Sequence, residues 1–308
     1  MSSSCLDAKE TDKMQKPSLL WLQAITCNGN THSFLNHPDL FSILSHFEIV
    51  HHPALEGTHT FNEVLAGNVP CDVLILEGSF IEKGFLKGGV EVSQVIETYA
   101  KKAKYIISAG TCATFGGIFK QKDPKNISGF CFDLEKTTPR YDTYASKLIS
   151  LPGCPVHPKW LSYVLLMIAN GNKIPIDSLH RPVELYGYTV HNGCTRNEYF
   201  EWKIDSKNYG LKEGCLFYEQ GCQGPYTRGS CNKILWNDIS SKTRAGTPCF
   251  GCTEPSFPQS SLFVTKTNMG IPAKMPLGIP RRAYISLVGV TKSFRIKRFS
   301  ERLMEYDK

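Results

Sequence analysis

Cysteine spacing constrains this chain of 308 residues more than any other feature of its sequence. Twelve residues are cysteine, and six of these crowd into 59 positions: Cys194, Cys215, Cys222, Cys231, Cys249 and Cys252. The N-terminal segment is polar and lacks both the apolar core of a secretory signal and a twin-arginine pair. We therefore expect a cytoplasmic protein with reduced thiols. Clustered cysteines in a reducing compartment indicate bound metal rather than disulfides.

Residues 18–170 alternate between short apolar runs and helical patterns, after a predicted flexible tail at 1–17. The apolar runs cover residues 19–22, 71–76, 104–108 and 147–150, and helical spacing covers 39–47, 90–103 and 157–169. Strands that are apolar throughout and alternate with helices predict a parallel sheet covered on both faces. This is the doubly wound α/β class, in which ligands bind outside the carboxyl ends of the strands.

Cysteines follow three of the four predicted strands at that end. Cys27 follows the first strand, Cys112 the third and Cys154 the fourth, while Glu77 closes the second. A single cysteine is most often a small buried hydrophobic residue. Three cysteines at equivalent strand ends instead predict one shared site at the edge of the sheet.

Residues 171–308 show little hydrophobic periodicity. We therefore expect this second domain to need another source of stability, such as bound metal. The potential ligands form two groups: His191 with Cys194, Cys215 and Cys222, and Cys231 with Cys249 and Cys252. Zinc suits the first group, but the second has no fourth ligand to close a tetrahedral site. Iron–sulfur clusters are held by thiolates, histidine can replace a thiolate at some of them, and a cluster lacking one iron needs three ligands. The ligand count therefore favours iron–sulfur clusters over zinc.

Seven motifs together resemble the small, electron-transferring subunit of [NiFe] hydrogenases. They are LWLQ at 20–23 leading to Cys27, LEG at 76–78, AGTCA at 109–113, LPGCP at 151–155, VHxxC at 190–194, GCL through GCxGP at 214–225, and PCxGCTEP at 248–255. The resemblance runs from about Leu19 to about Arg282. It implies a flavodoxin-like N-terminal domain, an irregular C-terminal domain and three iron–sulfur clusters in a line.

The resemblance also implies the ligands of each cluster. The proximal cluster takes Cys27, Cys112 and Cys154; the medial cluster takes Cys231, Cys249 and Cys252; the distal cluster takes His191, Cys194, Cys215 and Cys222. Some family members carry a fourth medial cysteine eleven residues after the first, where this chain has Lys242. The expected types are therefore [3Fe-4S] for the medial cluster and [4Fe-4S] for the distal cluster.

The first motif departs from the usual Cys-x-x-Cys, because Asn30 stands at the second cysteine position. Cytoplasmic uptake hydrogenases of the cyanobacterial and actinobacterial kind share this Asn and the seven-residue step from Cys215 to Cys222, so the chain is placed in that group. The proximal cluster is then a [4Fe-4S] cluster with an oxygen ligand from Asn30, or a [3Fe-4S] cluster. Alternatively, Asn30 caps the following turn and another residue binds iron, His32 being the nearest.

On this resemblance the protein is a hydrogenase subunit whose Ni–Fe active site lies on a partner large subunit. Electrons from H₂ pass through the clusters to an acceptor protein or quinone. No catalytic residue is expected in this chain. Glu77 either has a proton or interface role, or its carboxylate accepts hydrogen bonds from loop N–H groups. Rival functions are a hydrogen-sensing regulatory subunit, a quinone-reductase subunit of the complex I type, and a zinc-stapled binding module.

The remaining features indicate no further site. The chain has 35 basic and 28 acidic residues, a modest net charge of +7. Its basic run at 295–298 lacks interleaved aromatic residues, so no nucleic-acid partner is expected. No apolar run reaches the roughly 20 residues of a transmembrane helix. Cys71 and Cys131 are interpreted as structural, and His32, His51 and His52 as polar surface.

Overall fold

A computed structural model describes residues 16–258 and residue 286. The predicted tail at 1–17, apart from its last two residues, lies outside this range. The basic run at 295–298 and the end of the second predicted domain also lie outside it. No helix in the described part of the chain is long and apolar enough to cross a membrane.

The strands are β1 (Ser18–Gln23), β2 (Glu48–His51), β3 (Val73–Glu77), β4 (Phe80–Ile81), β5 (Leu86–Lys87), β6 (Val90–Glu91), β7 (Tyr105–Ala109), β8 (Ile127–Ser128), β9 (Phe132–Asp133), β10 (Lys136–Thr137) and β11 (Leu148–Leu151). The α-helices are α1 (Gly29–Leu35), α2 (Leu40–Leu44), α3 (Phe61–Leu65), α4 (Val92–Lys102), α5 (Gly110–Phe115), α6 (Gly117–Lys122), α7 (Tyr141–Tyr144), α8 (Pro158–Ala169), α9 (Val183–Tyr186) and α10 (Asn197–Trp202). Short 3₁₀ helices cover Ala145–Lys147, Val190–Gly193 and Gly224–Tyr226.

Five strands form one parallel sheet in the order β11-β7-β3-β1-β2. This is the flavodoxin-like order, so the predicted doubly wound α/β class is confirmed. The register aligns the last residues of four neighbouring strands, β1, β3, β7 and β11, in one row. These residues are Gln23, Glu77, Ala109 and Leu151. The loops that follow this row consequently begin at the same edge of the sheet.

Both faces of the sheet are covered because successive strand residues point to opposite sides. In β1, Leu19 and Trp21 pack into the core that contains α1, α2 and α8, whereas Leu20 and Leu22 pack into the core that contains α3 and α4. All four side chains are buried. Burying one such side chain contributes about 1.5–3 kcal/mol, so this two-sided burial fixes the register of the strand.

Helix α8 shows how local sequence determines a helix start. Pro158 occupies the first helical turn, where its missing N–H costs nothing. The preceding His157 accepts a hydrogen bond from the Lys159 N–H at its Nδ1 atom, over 3.1 Å. The helix was predicted at 157–169 and ends at Ala169.

Several short elements of the first half of the chain are not predicted from the sequence, among them strand β2 and helix α1. Strand β2 is short and only partly buried, so its hydrophobic pattern is weak. Helix α1 follows Cys27 directly and begins after Asn28, whose φ of 61° is left-handed. Its sequence, Gly29–Leu35, contains too few apolar residues to show a helical period.

The C-terminal part of the described chain, from residue 171 to residue 258, has short helices and a small core instead of a sheet. Its buried cluster consists of Val190, Leu216 and Phe217 together with three thiols: Cys215, Cys222 and Cys249. Phe200 joins this core by edge contacts with the ring of His191 at 4.6 Å and the ring of Phe217 at 5.3 Å. Half of the buried cluster is therefore made of potential metal ligands.

Candidate iron–sulfur sites

The first site lies where the loops leave the carboxyl edge of the sheet. Cys27, Cys112 and Cys154 come three or four residues after the aligned ends of β1, β7 and β11. Burial raises the pKa of the Cys112 thiol, and the charge on Cys27 adds to this. Burial and then the charges on Cys252, Cys112 and Cys27 raise the pKa of Cys154 to about 11. The structure therefore brings the three predicted proximal thiols into one electrostatic cluster.

Backbone packs tightly around these thiols. Gly117 has a φ of 52°, and a Cβ atom there would lie 2.6 Å from the Sγ of Cys112. A side chain at Gly117 would push Cys112 out of place, so the glycine keeps room around the sulfur. Cys27 and Cys154 are exposed in the isolated chain, whereas Cys112 is half-buried.

Asn30 connects three strand ends beside these thiols. Its Oδ1 accepts a hydrogen bond from the Val156 N–H at 2.9 Å, and its Nδ2 donates to the Ala109 carbonyl at 3.2 Å. A Cβ atom on Gly110 would lie 2.5 Å from Nδ2, so the amide packs directly on that backbone. These long-range contacts tie the strand ends together and do not cap the following turn, which the capping alternative expected. The Oδ1 atom has a second lone pair, so they leave the ligand alternative open. His32 is exposed.

Glu77 is fully buried under the same loops. Its carboxylate accepts hydrogen bonds from the Asn30 and Thr31 N–H groups, from the Thr31 hydroxyl, and from the Trp21 and Gln23 side chains. Burial disfavours its charge, but these hydrogen bonds outweigh burial and hold the pKa of Glu77 below its usual range. The carboxylate therefore organises the loop that carries Cys27 and Asn30.

The second site is a narrow pocket in the C-terminal part of the described chain. It is lined by all four predicted distal ligands: His191, Cys194, Cys215 and Cys222. The 3₁₀ helix Val190–Gly193 carries His191 and is capped by Thr189, with Cys194 directly after it. Burial is the main reason that the pKa values of Cys215 and Cys222 are raised to about 11. The donor set that lines this pocket fits a cluster with one imidazole and three thiolates.

Backbone N–H groups already point at these sulfurs. The Arg196 N–H donates to Cys194 Sγ at 3.4 Å, and the Gly224 and Cys249 N–H groups donate to Cys222 Sγ at 3.4 and 3.3 Å. Such donors favour the thiolate form and tune the potential of a bound cluster. The local backbone is thus shaped for thiolate ligands.

The third site contains Cys231, Cys249 and Cys252. Burial, followed by the charges on Cys252 and Cys249, raises the pKa of Cys231 well above its usual value. Burial, followed by the charges on Cys222 and Cys252, raises that of Cys249 to about 12. Next to Cys231, the Ser230 Oγ is buried with no hydrogen-bond partner among the described residues. A buried hydroxyl without a partner, beside one buried and two half-buried thiols, fits a bound group with acceptor sulfurs.

The three sites form a continuous series. The Thr111 hydroxyl, next to Cys112, donates a hydrogen bond to the Cys252 carbonyl, and the charge on Cys252 acts on Cys154. The hydrogen bond from the Cys249 N–H to Cys222 Sγ then joins the third site to the second. In the described part of the chain, no group of three or more Cys, His, Asp or Glu side chains surrounds a single metal-ion position.

The other candidate residues lie elsewhere. Cys71 and Cys131 are buried in the core on the α4 face, where burial raises their pKa values to about 12, as expected for structural thiols. The expectation that His52 belongs to the polar surface is wrong. His52 is buried, and its Nδ1 accepts hydrogen bonds from the Ala54 and Leu55 N–H groups at 3.1 Å.

Comparison with known proteins identifies the family of this chain. Residues 186–264 match the family model of the C-terminal part of NiFe/NiFeSe hydrogenase small subunits. Residues 27–168 match the model of the 20 kDa subunit of NADH ubiquinone oxidoreductase. The chain is 30% identical to the periplasmic [NiFe] hydrogenase small subunit of Solidesulfovibrio fructosivorans over 267 residues, 79% of each protein. It is 28% identical to the hydrogenase-2 small chain of Escherichia coli, over 80% of this chain and 69% of that protein.

Solved structures show the same fold. A [NiFeSe] hydrogenase chain of Desulfomicrobium baculatum aligns with a TM-score of 0.65 at 25% identity, covering 82% of this chain and all of that one. A chain of the actinobacterial-type NiFe-hydrogenase of Ralstonia eutropha aligns with a TM-score of 0.70 at 23% identity, covering 94% and 92%. At 23% identity, the match to the Ralstonia eutropha chain shows a shared fold and nothing more.

The two family matches together define the class of protein, a subunit of an oxidoreductase complex. Within that class, the chain belongs to the family of [NiFe] hydrogenase small subunits. Subunits of this family pair with a large subunit, which holds the Ni–Fe active site. The match of residues 186–264 also separates the chain from the complex I type of subunit, for which no cysteine-rich second half was expected.

Proposed function

We propose that this subunit conducts electrons from the partner's active site through three iron–sulfur clusters to an external acceptor, in the direction of H₂ uptake. The observation that carries the proposal is the continuous series of thiols from the sheet edge to the distal pocket. Cys154 and Cys252 link the first two sites, and Cys249 and Cys222 link the last two.

The proposed ligands follow the three sites. Cys27, Cys112 and Cys154 would hold the proximal cluster, as [4Fe-4S] with Asn30 or as [3Fe-4S]. Cys231, Cys249 and Cys252 would hold a medial [3Fe-4S] cluster. His191, Cys194, Cys215 and Cys222 would hold a distal [4Fe-4S] cluster. When bound, such clusters supply one-electron redox chemistry over a wide range of potentials.

The protein contributes geometry and electrostatics to this chemistry. Among the medial thiols Cys249 is buried from water, and N–H groups directed at Cys194 and Cys222 stabilise added negative charge. A neutral imidazole from His191 in place of a thiolate removes one negative charge from the distal site. This should raise its potential relative to an all-thiolate site, which suits the point where electrons leave.

Metal analysis of the anaerobically purified complex tests the proposal. We expect iron and acid-labile sulfide near about ten to twelve atoms each per small subunit, with little zinc, as the stoichiometry of three clusters requires. H₂-dependent reduction of an artificial acceptor should accompany these clusters. Stoichiometric zinc with little sulfide would support the zinc-stapled module instead. Fully loaded clusters without H₂-dependent acceptor reduction would support the hydrogen-sensing alternative.

We also propose that the subunit works in the cytoplasm. Twelve cysteines with no disulfide role assigned to them suit a reducing compartment. Several relatives are named as periplasmic proteins, so location needs its own test. Fractionation of native cells should recover the subunit with a cytosolic marker; recovery with the periplasmic fraction would contradict the proposal.

A further inference from the structure

Lys242 is held beside the medial site by the residues on either side of it. The hydroxyl groups of Ser241 and Thr243 both donate hydrogen bonds to the Oδ1 of Asn232, that of Thr243 over 2.8 Å. Asn232 directly follows Cys231, and its Nδ2 donates to the Val190 carbonyl at 2.7 Å. The backbone at Lys242 is therefore clamped to the segment that carries the first medial thiol.

The side chain of Lys242 lies next to the segment that carries Cys249. Its Nζ lies 4.3 Å from the ring centroid of Phe250, the residue that follows Cys249. This is a cation–π contact. No Asp or Glu of the described residues forms an ion pair with Lys242. The charge of Lys242 favours the thiolate forms of Cys231 and Cys154 and so acts to lower both pKa values. Burial has the larger effect and raises them.

We propose that Lys242 is a tuning residue that raises the reduction potential of the medial cluster and, to a smaller extent, that of the proximal cluster. This inference rests on the proposed function, since it requires clusters at both sites. Reduction places one more negative charge on a cluster, and a cation nearby stabilises that charge. Lys242 acts through space and touches neither a reacting atom nor a thiol.

The test is a redox titration, followed by low-temperature EPR, of the anaerobic complex carrying wild-type subunit or Lys242→Met. Methionine keeps much of the length of the side chain and removes its charge. We expect the ratio of reduced to oxidised medial cluster at a fixed potential to fall by about three- to tenfold, the size expected for one partly solvated charge. The distal cluster should titrate as in the wild type.

Two further variants separate charge from structure. Lys242→Arg keeps the cation and should titrate close to the wild type. Lys203→Met is the matched control, because the Nζ of Lys203 also lies 4.3 Å from an aromatic ring centroid, that of Tyr218. It should leave the medial potential unchanged. The shift in Lys242→Met should also shrink as salt is raised from about 0.05 to 0.5 M, since an exposed charge is screened.

The outcomes distinguish this inference from the proposed function. An unchanged medial potential in Lys242→Met, with iron and sulfide at wild-type levels, would overturn the role of Lys242 and leave the three-cluster chain intact. An equal shift in Lys242→Arg would show that the side chain acts by packing, which also overturns it. A wild-type complex with no medial cluster signal would overturn both proposals.

Discussion

The N–H of Cys249 donates a hydrogen bond to the Sγ of Cys222 over 3.3 Å. These two residues belong to different predicted clusters, so one backbone group connects the medial ligand set to the distal one. The charge on Cys222 in turn contributes to the raised pKa of the Cys249 thiol. Electron transfer requires adjacent redox groups, and this contact makes the two sites direct neighbours.

The carboxyl edge of the sheet should be covered by the large subunit. Cys27 and Cys154 are exposed in the isolated chain, and permanent complexes often bury more than about 2,000 Å². We expect hydrogen–deuterium exchange at residues 24–30 and 152–156 to slow when the large subunit is present. Exchange at residues 122–126, an exposed turn, serves as the control. Equal exchange with and without the large subunit would contradict this placement.

Substitution of Asn30 tests its role at the proximal site. Asn30→Cys should give a conventional [4Fe-4S] signal at lower potential, because a thiolate adds a negative charge to the cluster. The variant also loses two buried hydrogen bonds, so we expect a loss of roughly 1–3 kcal/mol in the free energy of unfolding.

Asn30→Ala is the matched control, since it loses the same hydrogen bonds without adding a thiolate. Redox-titrated EPR of the wild type and both variants separates the two effects. If spectrum and midpoint in Asn30→Cys equal those of the wild type, position 30 does not touch the cluster.

Replacing Glu77 by Gln should destabilise the first domain. The glutamine amide presents donors to a pocket in which Asn30, Thr31, Gln23 and Trp21 already donate. We expect a loss of about 1–3 kcal/mol, because buried donors are left without acceptors. Urea denaturation of the apo chain measures this, with the exposed Glu56→Gln as control.

The depressed pKa of Glu77 also sets the sign of its pH effect. Its contribution to stability is present above the unfolded value of 4.5 and is lost as pH falls through the lower folded value. The wild type should therefore lose its advantage over Glu77→Gln on acidification. A constant difference between the two proteins down to strongly acidic pH would disprove this assignment.

His52 should make the fold sensitive to mild acid. Burial, and to a smaller extent the charge of His51, lowers the pKa of His52 from 6.5 to about 4, against a smaller opposing effect of Glu77. Between these values the unfolded chain binds a proton that the folded chain does not, so the free energy of unfolding falls as pH falls. From pH 6.5 to about 5 the expected loss is roughly 1–2 kcal/mol.

His52→Asn keeps an acceptor for the Ala54 and Leu55 N–H groups and should remove this part of the pH dependence. His46→Asn, at an exposed position, should retain it. The measurement is the urea midpoint of each protein at pH 6.5 and at about pH 5. If the midpoint of His52→Asn falls with pH as much as that of the wild type, another group causes the acid sensitivity.

Local sequence was sufficient to predict the sheet and one edge of the site. The apolar runs at 19–22, 71–76, 104–108 and 147–150 correspond to β1, β3, β7 and β11, each within two residues. Because parallel strands align their carboxyl ends, the positions of Cys27, Cys112 and Cys154 follow from strand order along the chain. Strand β2 is not predicted because Glu48–His51 is only partly buried and shows no strong hydrophobic pattern.

The sequence by itself determined the α/β class, the presence of three ligand groups and the family. It did so because hydrophobic period and cysteine spacing are local quantities that a chain displays before it folds. Tertiary structure alone decided that the charge on Cys252 acts on Cys154, that Asn30 bonds to Ala109 and Val156, and that the Nζ of Lys242 lies over the ring of Phe250. These pairs are separated by long stretches of chain or by aperiodic loops. Their contacts exist only once distant segments of the chain pack together and the loops adopt one conformation.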